Sequence, residues 1–172
     1  MSTPTTAFII IDVQTSLIDE GAWESEAVLR RIGILLAQAR SADSFVVFVT
    51  DRRITPDGSV HRSLEVRATD SVVSKGCSDS FFGTELDESL HARKVSRIVV
   101  AGLQSDYCID TTCRRAVSLG YDVVLVSDAH TTFDHEVLKA SQIVAHHNRV
   151  LHNFLAGSAE VRVVPAAEVV FG

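Results

Sequence analysis

The stretch Val99-Val100-Ala101-Gly102-Leu103-Gln104-Ser105-Asp106-Tyr107-Cys108-Ile109-Asp110 runs from an apolar strand through a glycine into a helix start. A strand that hands over to a helix belongs to the crossover unit of α/β folds. The thiol of Cys108 would meet the positive end of the helix dipole there, which favours thiolate. Two more reactive side chains close strands of their own. Asp12 follows Phe8-Ile9-Ile10-Ile11, and Lys75 follows Ser71-Val72-Val73-Ser74. Open α/β sheets bind ligands at the carboxyl ends of their strands, so three such residues point to one assembled site.

Outward from this stretch, short apolar runs recur at 7–11, 45–49, 71–74, 97–101, 122–126 and 161–164. They are rich in β-branched residues and do not alternate strictly, as expected of strands buried on both faces of a parallel sheet. Helical patterns lie between them. Residues 25–40 carry apolar side chains at Val28, Leu29, Ile32, Leu35 and Leu36; another helix starts near Thr84-Glu85-Leu86. A third spans about 107–119 and stops at Gly120, and a fourth spans roughly 135–155 before Gly157. The expected fold class is α/β, a three-layer α/β/α architecture with a largely parallel, six-stranded, Rossmann-like sheet built from those runs.

Length and composition bound the rest. A chain of 172 residues with 46% hydrophobic content fits one domain, 1–172, with a substantial core. The net charge of −6 is interspersed and forms no basic stripe, so nucleic acid is not an expected partner. Met1-Ser2-Thr3-Pro4-Thr5-Thr6 carries no positive charge before an apolar run that ends within a few residues at Asp12. That is too short for a signal or a membrane span, so a soluble cytoplasmic protein without membrane partners is expected. Cys77, Cys108 and Cys113 are odd in number and lack zinc spacing, so no disulfide framework is expected.

Each reactive residue has two readings. Cys108 is either a nucleophile or an inert core thiol, since free cysteine is among the most buried residue types. Ser105 and Asp106, both able to cap a helix, speak for the first. Asp12 either caps a loop or acts as a base that takes and returns a thiol proton. Lys75 is either a solvated strand-end cation or, beside a carboxylate and a thiol, the charge that lowers both pKa values. Phe81 and Phe82 read as core or helix entry, or as walls for a flat organic substrate. Trp23, the only tryptophan, is either a pocket rim or a surface anchor. His146, His147 and Asn148 read as helix capping or packing, because adjacent residues on a helix point apart.

Taken together these residues resemble the isochorismatase-like cysteine hydrolases, which include nicotinamidases, carbamoylsarcosine amidases, streptothricin hydrolases and isochorismatases. The resemblance spans nearly the whole chain. It rests on Phe8 to Gln14, on Lys75 followed by Asp79-Ser80-Phe81-Phe82-Gly83-Thr84-Glu85-Leu86, on Ala101 to Ile109, and on Gly120-Tyr121-Asp122-Val123 leading to Ser127-Asp128-Ala129. It implies a catalytic Asp12-Lys75-Cys108 triad and a cis peptide joining Gln104 to Ser105. That bond would aim the backbone N–H groups of Gln104, Ser105 and Cys108 at an oxyanion. The substrate set it implies is Gln14, Trp23, Phe81, Phe82 and Tyr107, acting on a small molecule in a homo-oligomer, a dimer or a tetramer, without a cofactor.

One departure narrows the chemistry. Nicotinamidases carry an Asp-x-His metal pair after the second strand, where this chain reads Thr50-Asp51-Arg52-Arg53. A charged arginine cannot ligate a metal, so no metal is expected although Asp51 and His61 remain. Arg52 or Arg53 is instead solvated or meets an anionic substrate. The expected activity is cysteine-dependent hydrolysis of a small amide or other non-peptide C–N bond through a thioester. The alternatives are vinyl ether hydrolysis of the isochorismatase type and a catalytically silent binding protein of the same fold. A nucleotide-binding site is excluded by the absence of closely spaced glycines after Asp12.

Overall fold

The computed structural model describes residues 5–172. The start of the chain, read above as lacking a leader, lies outside them up to residue 4. Among the described residues seven strands form one sheet: β1 (Thr5–Ile11), β2 (Phe45–Asp51), β3 (Ser71–Lys75), β4 (Val95–Leu103), β5 (Asp122–Thr131), β6 (Phe154–Ala156) and β7 (Ala159–Val164). Their order is β3-β2-β1-β4-β5-β7-β6, with every pairing parallel except β6 against β7. The helices are α1 (Thr15–Asp19), α2 (Ser25–Ser41), α3 (Leu86–Ala92), α4 (Asp110–Ser118) and α5 (Ala140–Leu151).

Alternation along β1 shows how the layers form. Ala7, Ile9 and Ile11 enter the apolar cluster under α3 and α4, with Leu86, Leu90, Ile109, Cys113 and Val117. Phe8 and Ile10 enter the cluster under α2, with Val28, Ile32, Leu35 and Ala39. Both faces of the strand are therefore buried, which is why its sequence reads as one unbroken apolar run. Among the described residues no helix is long and apolar enough to cross a membrane.

The sheet has seven strands where six were expected, and the reason lies in the last third of the chain. The expected helix over 135–155 is shorter, Ala140–Leu151. Asp134 accepts hydrogen bonds from Lys139 Nζ (2.8 Å) and from the Ala140 N–H (2.9 Å), which fixes the helix start. Asn153 takes a positive φ of 63°, the chain reverses, and Phe154-Leu155-Ala156 pairs with β7. A three-residue apolar run carries no periodicity that separates strand from helix. On α5 and the short strand after it, Ile143, Val144 and Leu151 are buried within the chain, whereas Val150 and Leu155 are exposed.

The strand order puts a topological switch point between β1 and β4: the chain leaves β1 towards β2 and β3, then crosses back to the other side. Ligand crevices of open α/β sheets form there. Gly102 makes the approach of these two strands possible. It has φ +122°, and a Cβ on it would meet the backbone of Ile11. Asp12 follows immediately with φ 51°, a conformation that aspartate tolerates better than most residues, and its N–H donates to Val49 O at 2.8 Å.

Candidate active site

Parallel register alone places two of the site residues side by side, because Asp51 and Lys75 are Cα partners at the ends of β2 and β3. From β3, Lys75 extends its ammonium to three acceptors. Nζ donates to Asp12 Oδ2 (2.8 Å), Asp51 Oδ2 (3.1 Å) and Cys108 Sγ (3.2 Å). The lysine is 0% exposed and Cys108 7%, with both carboxylates equally enclosed. An ammonium carries three protons, so its donor capacity is filled. Asp12 Oδ1 is buried and accepts no hydrogen bond. One donor atom each of Asp12, Asp51 and Cys108 lies within 4.8 Å of the others. Such a trio could hold a metal ion; here its shared cation is the Lys75 ammonium.

Asp51 is tied from a second side. The Arg53 guanidinium donates through Nε (2.9 Å to Oδ1) and through a terminal nitrogen (2.5 Å to Oδ2), and its backbone N–H adds a bond of 2.9 Å. Burial pushes the Asp51 carboxyl up, but hydrogen bonds from Arg53 and the Lys75 charge overcome it and hold it well below the usual carboxylate range. Arg53 is therefore clamped to Asp51. Arg52 lies over Gly76, where any side chain would collide with its guanidinium. His61 bonds Ser63 through Nδ1 (2.8 Å).

Two carboxylates and two cations cancel only if Cys108 is a neutral thiol. Burial, and then the Asp12 charge, push the Cys108 thiol up to about 11, with Lys75 opposing. Burial likewise raises the Asp12 carboxyl above its ordinary value against the pull of Lys75. These shifts run against the reading in which Lys75 lowers both pKa values and the helix dipole favours the Cys108 thiolate: desolvation outweighs the Lys75 charge at both groups. Consequently the rate at which iodoacetamide alkylates Cys108, followed by mass of the Cys108 peptide, should still be rising at pH 9–10 towards a midpoint near 11. An ordinary thiol levels off about 2 units lower. A plateau reached by pH 7 would mean a preformed thiolate and contradict this account.

Cys108 sits in a π-helical turn, Ser105–Ile109, that precedes α4, with Gln104 O accepting from the N–H groups of Tyr107 and Ile109 at 3.1 Å. Single π-turns are frequent at functional sites. The cis peptide joins Leu103 to Gln104, one bond earlier than expected, where β4 ends and the turn begins.

The wider substrate set is dispersed. Gln14 is buried, and its amide is committed to the backbone: Nε2 donates to Asp51 O (3.0 Å) and Gly58 O (2.7 Å), and Oε1 accepts from the Asp51 N–H (2.8 Å). It braces the loop beside Asp51, so substrate contact through that amide is not open to it. Phe81 is in the core, stacked on Tyr121 with ring centroids 6.0 Å apart. Phe82 and Tyr107 are exposed, by 72% and 50%. Trp23 lines a separate cavity of about 250 Å³ with Arg31, Asp128, His130, Ser141 and Asn148, which none of Asp12, Lys75 and Cys108 borders. Sequence reasoning missed two polar networks near the thiol. Asp106 accepts from Thr132 Oγ1 (2.6 Å) and lies 2.9 Å from His135 Nε2. Ser105, His130 and Asn148 form a second, fully buried at its first two members.

Comparison with known proteins adds a family. Residues 6–151 match the Isochorismatase domain model. A streptothricin hydrolase of Streptomyces noursei is 36% identical over 138 residues, covering 74% of this chain and 50% of that protein. The chain thus spans about half the length of the streptothricin hydrolases it matches. An uncharacterized isochorismatase family protein of Bacillus subtilis (strain 168) is 30% identical over 138 residues, 74% of each chain. The fold is shared with a cysteine hydrolase from Pseudomonas syringae pv. phaseolicola 1448A, at 23% identity and a TM-score of 0.86 over 98% of this chain and 96% of that one.

Proposed function

The chain belongs to the isochorismatase family of hydrolases, and on that premise we propose that it hydrolyses a small amide or related non-peptide C–N bond through a thioester on Cys108. What carries the proposal is one observation: a sealed ammonium, Lys75, that touches a carboxylate with an unused oxygen and a thiol at the same time. That arrangement suits proton transfer followed by nucleophilic attack.

In the proposed mechanism the resting pair is the Asp12 carboxylate and the Cys108 thiol. Asp12 Oδ1 takes the thiol proton as Sγ bonds to the substrate carbonyl carbon, so the net charge of the cluster does not change. The raised pKa of Asp12 makes it a better acceptor than an exposed aspartate. Backbone N–H groups of Gln104, Ser105 and Cys108 receive the oxyanion. Asp12 returns the proton to the leaving nitrogen, the C–N bond breaks, and an amine or ammonia departs. Water, deprotonated by Asp12, then cleaves the thioester and restores the thiol. Phe82 and Tyr107 are the proposed apolar walls for the substrate. The reading places the enzyme in the cytoplasm and extends to self-association, supported by the exposed Val150 and Leu155.

The deciding experiment is product analysis on a panel of small amides, lactams and isochorismate. Ammonia or amine release that depends on Cys108 is expected. Pyruvate release from isochorismate without any amide turnover would replace the proposal with vinyl ether hydrolysis.

A further inference from the structure

A polar chain runs away from the nucleophile turn into β5 and α5. Ser105 Oγ lies 2.7 Å from His130 Nδ1, His130 Nε2 lies 2.9 Å from Asn148 Oδ1, and Asn148 Nδ2 donates to Ser127 O at 3.0 Å. The directions follow from the far end. With Nδ2 committed to a carbonyl, Asn148 presents Oδ1, which can only accept, so His130 Nε2 must carry a hydrogen. A neutral ring then leaves Nδ1 as an acceptor, and the Ser105 hydroxyl donates to it. Burial keeps the ring neutral, pushing His130 down to about 4. The Ser105 hydroxyl proton is thereby committed to His130.

Ser105 is the first residue of the π-helical turn, directly after Gln104, whose carbonyl collects the N–H groups of Tyr107 and Ile109. Ser105 and His130 are 0% and 1% exposed. A buried serine whose one donor is fixed to a buried, singly protonated histidine has a locked side chain and, with it, a locked backbone orientation. Resting on the thioester reading above, we propose that Ser105 and His130 are positioning residues that hold the backbone of 104–108 so that its N–H groups meet the oxyanion. Neither side chain touches the reacting atoms; Ser105 contributes there only through its backbone N–H. They matter wherever negative charge develops on a carbonyl oxygen and not where the thiolate alone reacts.

That distinction is measurable with two probes on the intact protein. p-Nitrophenyl acetate transfers its acetyl group to Cys108: the C–S bond forms, the ester C–O bond breaks, nitrophenolate leaves, and the thiol proton goes to Asp12. Iodoacetamide alkylates the same sulfur by displacement of iodide, with no oxyanion. Ser105→Ala and His130→Gln should each lower the nitrophenolate burst tenfold or more while changing Cys108 alkylation less than twofold, and Ser105→Thr should restore the burst to within threefold of the parent. A burst unchanged in both variants, or a burst and an alkylation rate that fall together, overturns the proposal. So does alkylation faster than the parent in both variants, which reports an opened fold and makes the pair a fold element only. A parent enzyme that never acetylates Cys108 fails earlier and refutes the thioester reading itself.

Discussion

Cys108→Ala is expected to eliminate turnover, by about 10⁴-fold or more, while the protein stays folded. The magnitude follows from losing the proposed covalent catalysis altogether, because no other side chain in the cluster can replace the sulfur: Lys75 is saturated by its three acceptors and Asp12 is the proposed base. The structural cost is small by comparison. Alanine keeps the Cβ packing of a residue within the apolar cluster, and the hydrogen bond it removes is the 3.2 Å one from Lys75 Nζ, whose two carboxylate partners remain. A cost of about 1 kcal/mol or less is expected from such a change, well within the stability of a domain. The measurement is amine release and thermal midpoint on the same sample, with the acyl-enzyme mass as a third readout. Turnover that survives with an intact midpoint would remove Cys108 from the chemistry, leaving the carboxylates as candidates for a cysteine-free reaction.

The residues that make this experiment worth doing were largely readable from the chain. Asp12, Lys75 and Cys108 each follow an apolar run, and in a parallel sheet such positions collect at one rim; the structure places Asp12 and Cys108 within hydrogen-bonding distance of the Lys75 ammonium. Asp51 was readable as a strand end but its contact was not, since Asp51 and Lys75 meet only through the register of β2 on β3. The protonation state of Cys108 could not be read from helix-start chemistry, because it depends on how completely the sheet and π-helical turn exclude water. For the Ser105-His130-Asn148 chain the reason is separation: its members come from the turn after β4, from β5 and from α5, and no local spacing links them. The short strand β6 escaped because three apolar residues fit a helix end as well as an edge strand.

Lys75→Met should disable the site and destabilise the fold together, and the pH dependence of the loss identifies the cause. Methionine fills much of the same volume, so a lysine that merely occupied space would be replaced at little cost. As the shared cation of two buried carboxylates it cannot be. Removing one member of a buried ionic cluster costs about 3–5 kcal/mol, because the charges left behind stay desolvated. For a chain of this size that corresponds to a fall of roughly 6–20 °C in the thermal midpoint. In the parent, burial lowers the Lys75 pKa but Asp12 more than offsets it, so the folded value is raised. Its contribution is therefore complete below the unfolded lysine value and lost only as pH rises through the folded one. Between pH 5 and 8 the parent loses none of it. In the variant the penalty belongs to Asp12, whose carboxyl is already raised by burial and loses the cation that restrained it. A carboxyl with a raised folded pKa destabilises above that value and stops doing so as pH falls through it. The deficit should thus be largest near pH 8 and shrink towards pH 5, as Asp12 takes up a proton. That same proton occupies the proposed base, so turnover should fall by about 10³-fold or more even where the fold is recovered. Thermal midpoints of parent and variant at pH 5 and pH 8, with amine release at each, test both halves. A small deficit that is the same at both pH values would show Lys75 to be a spacer and leave Asp12 ionised by other means.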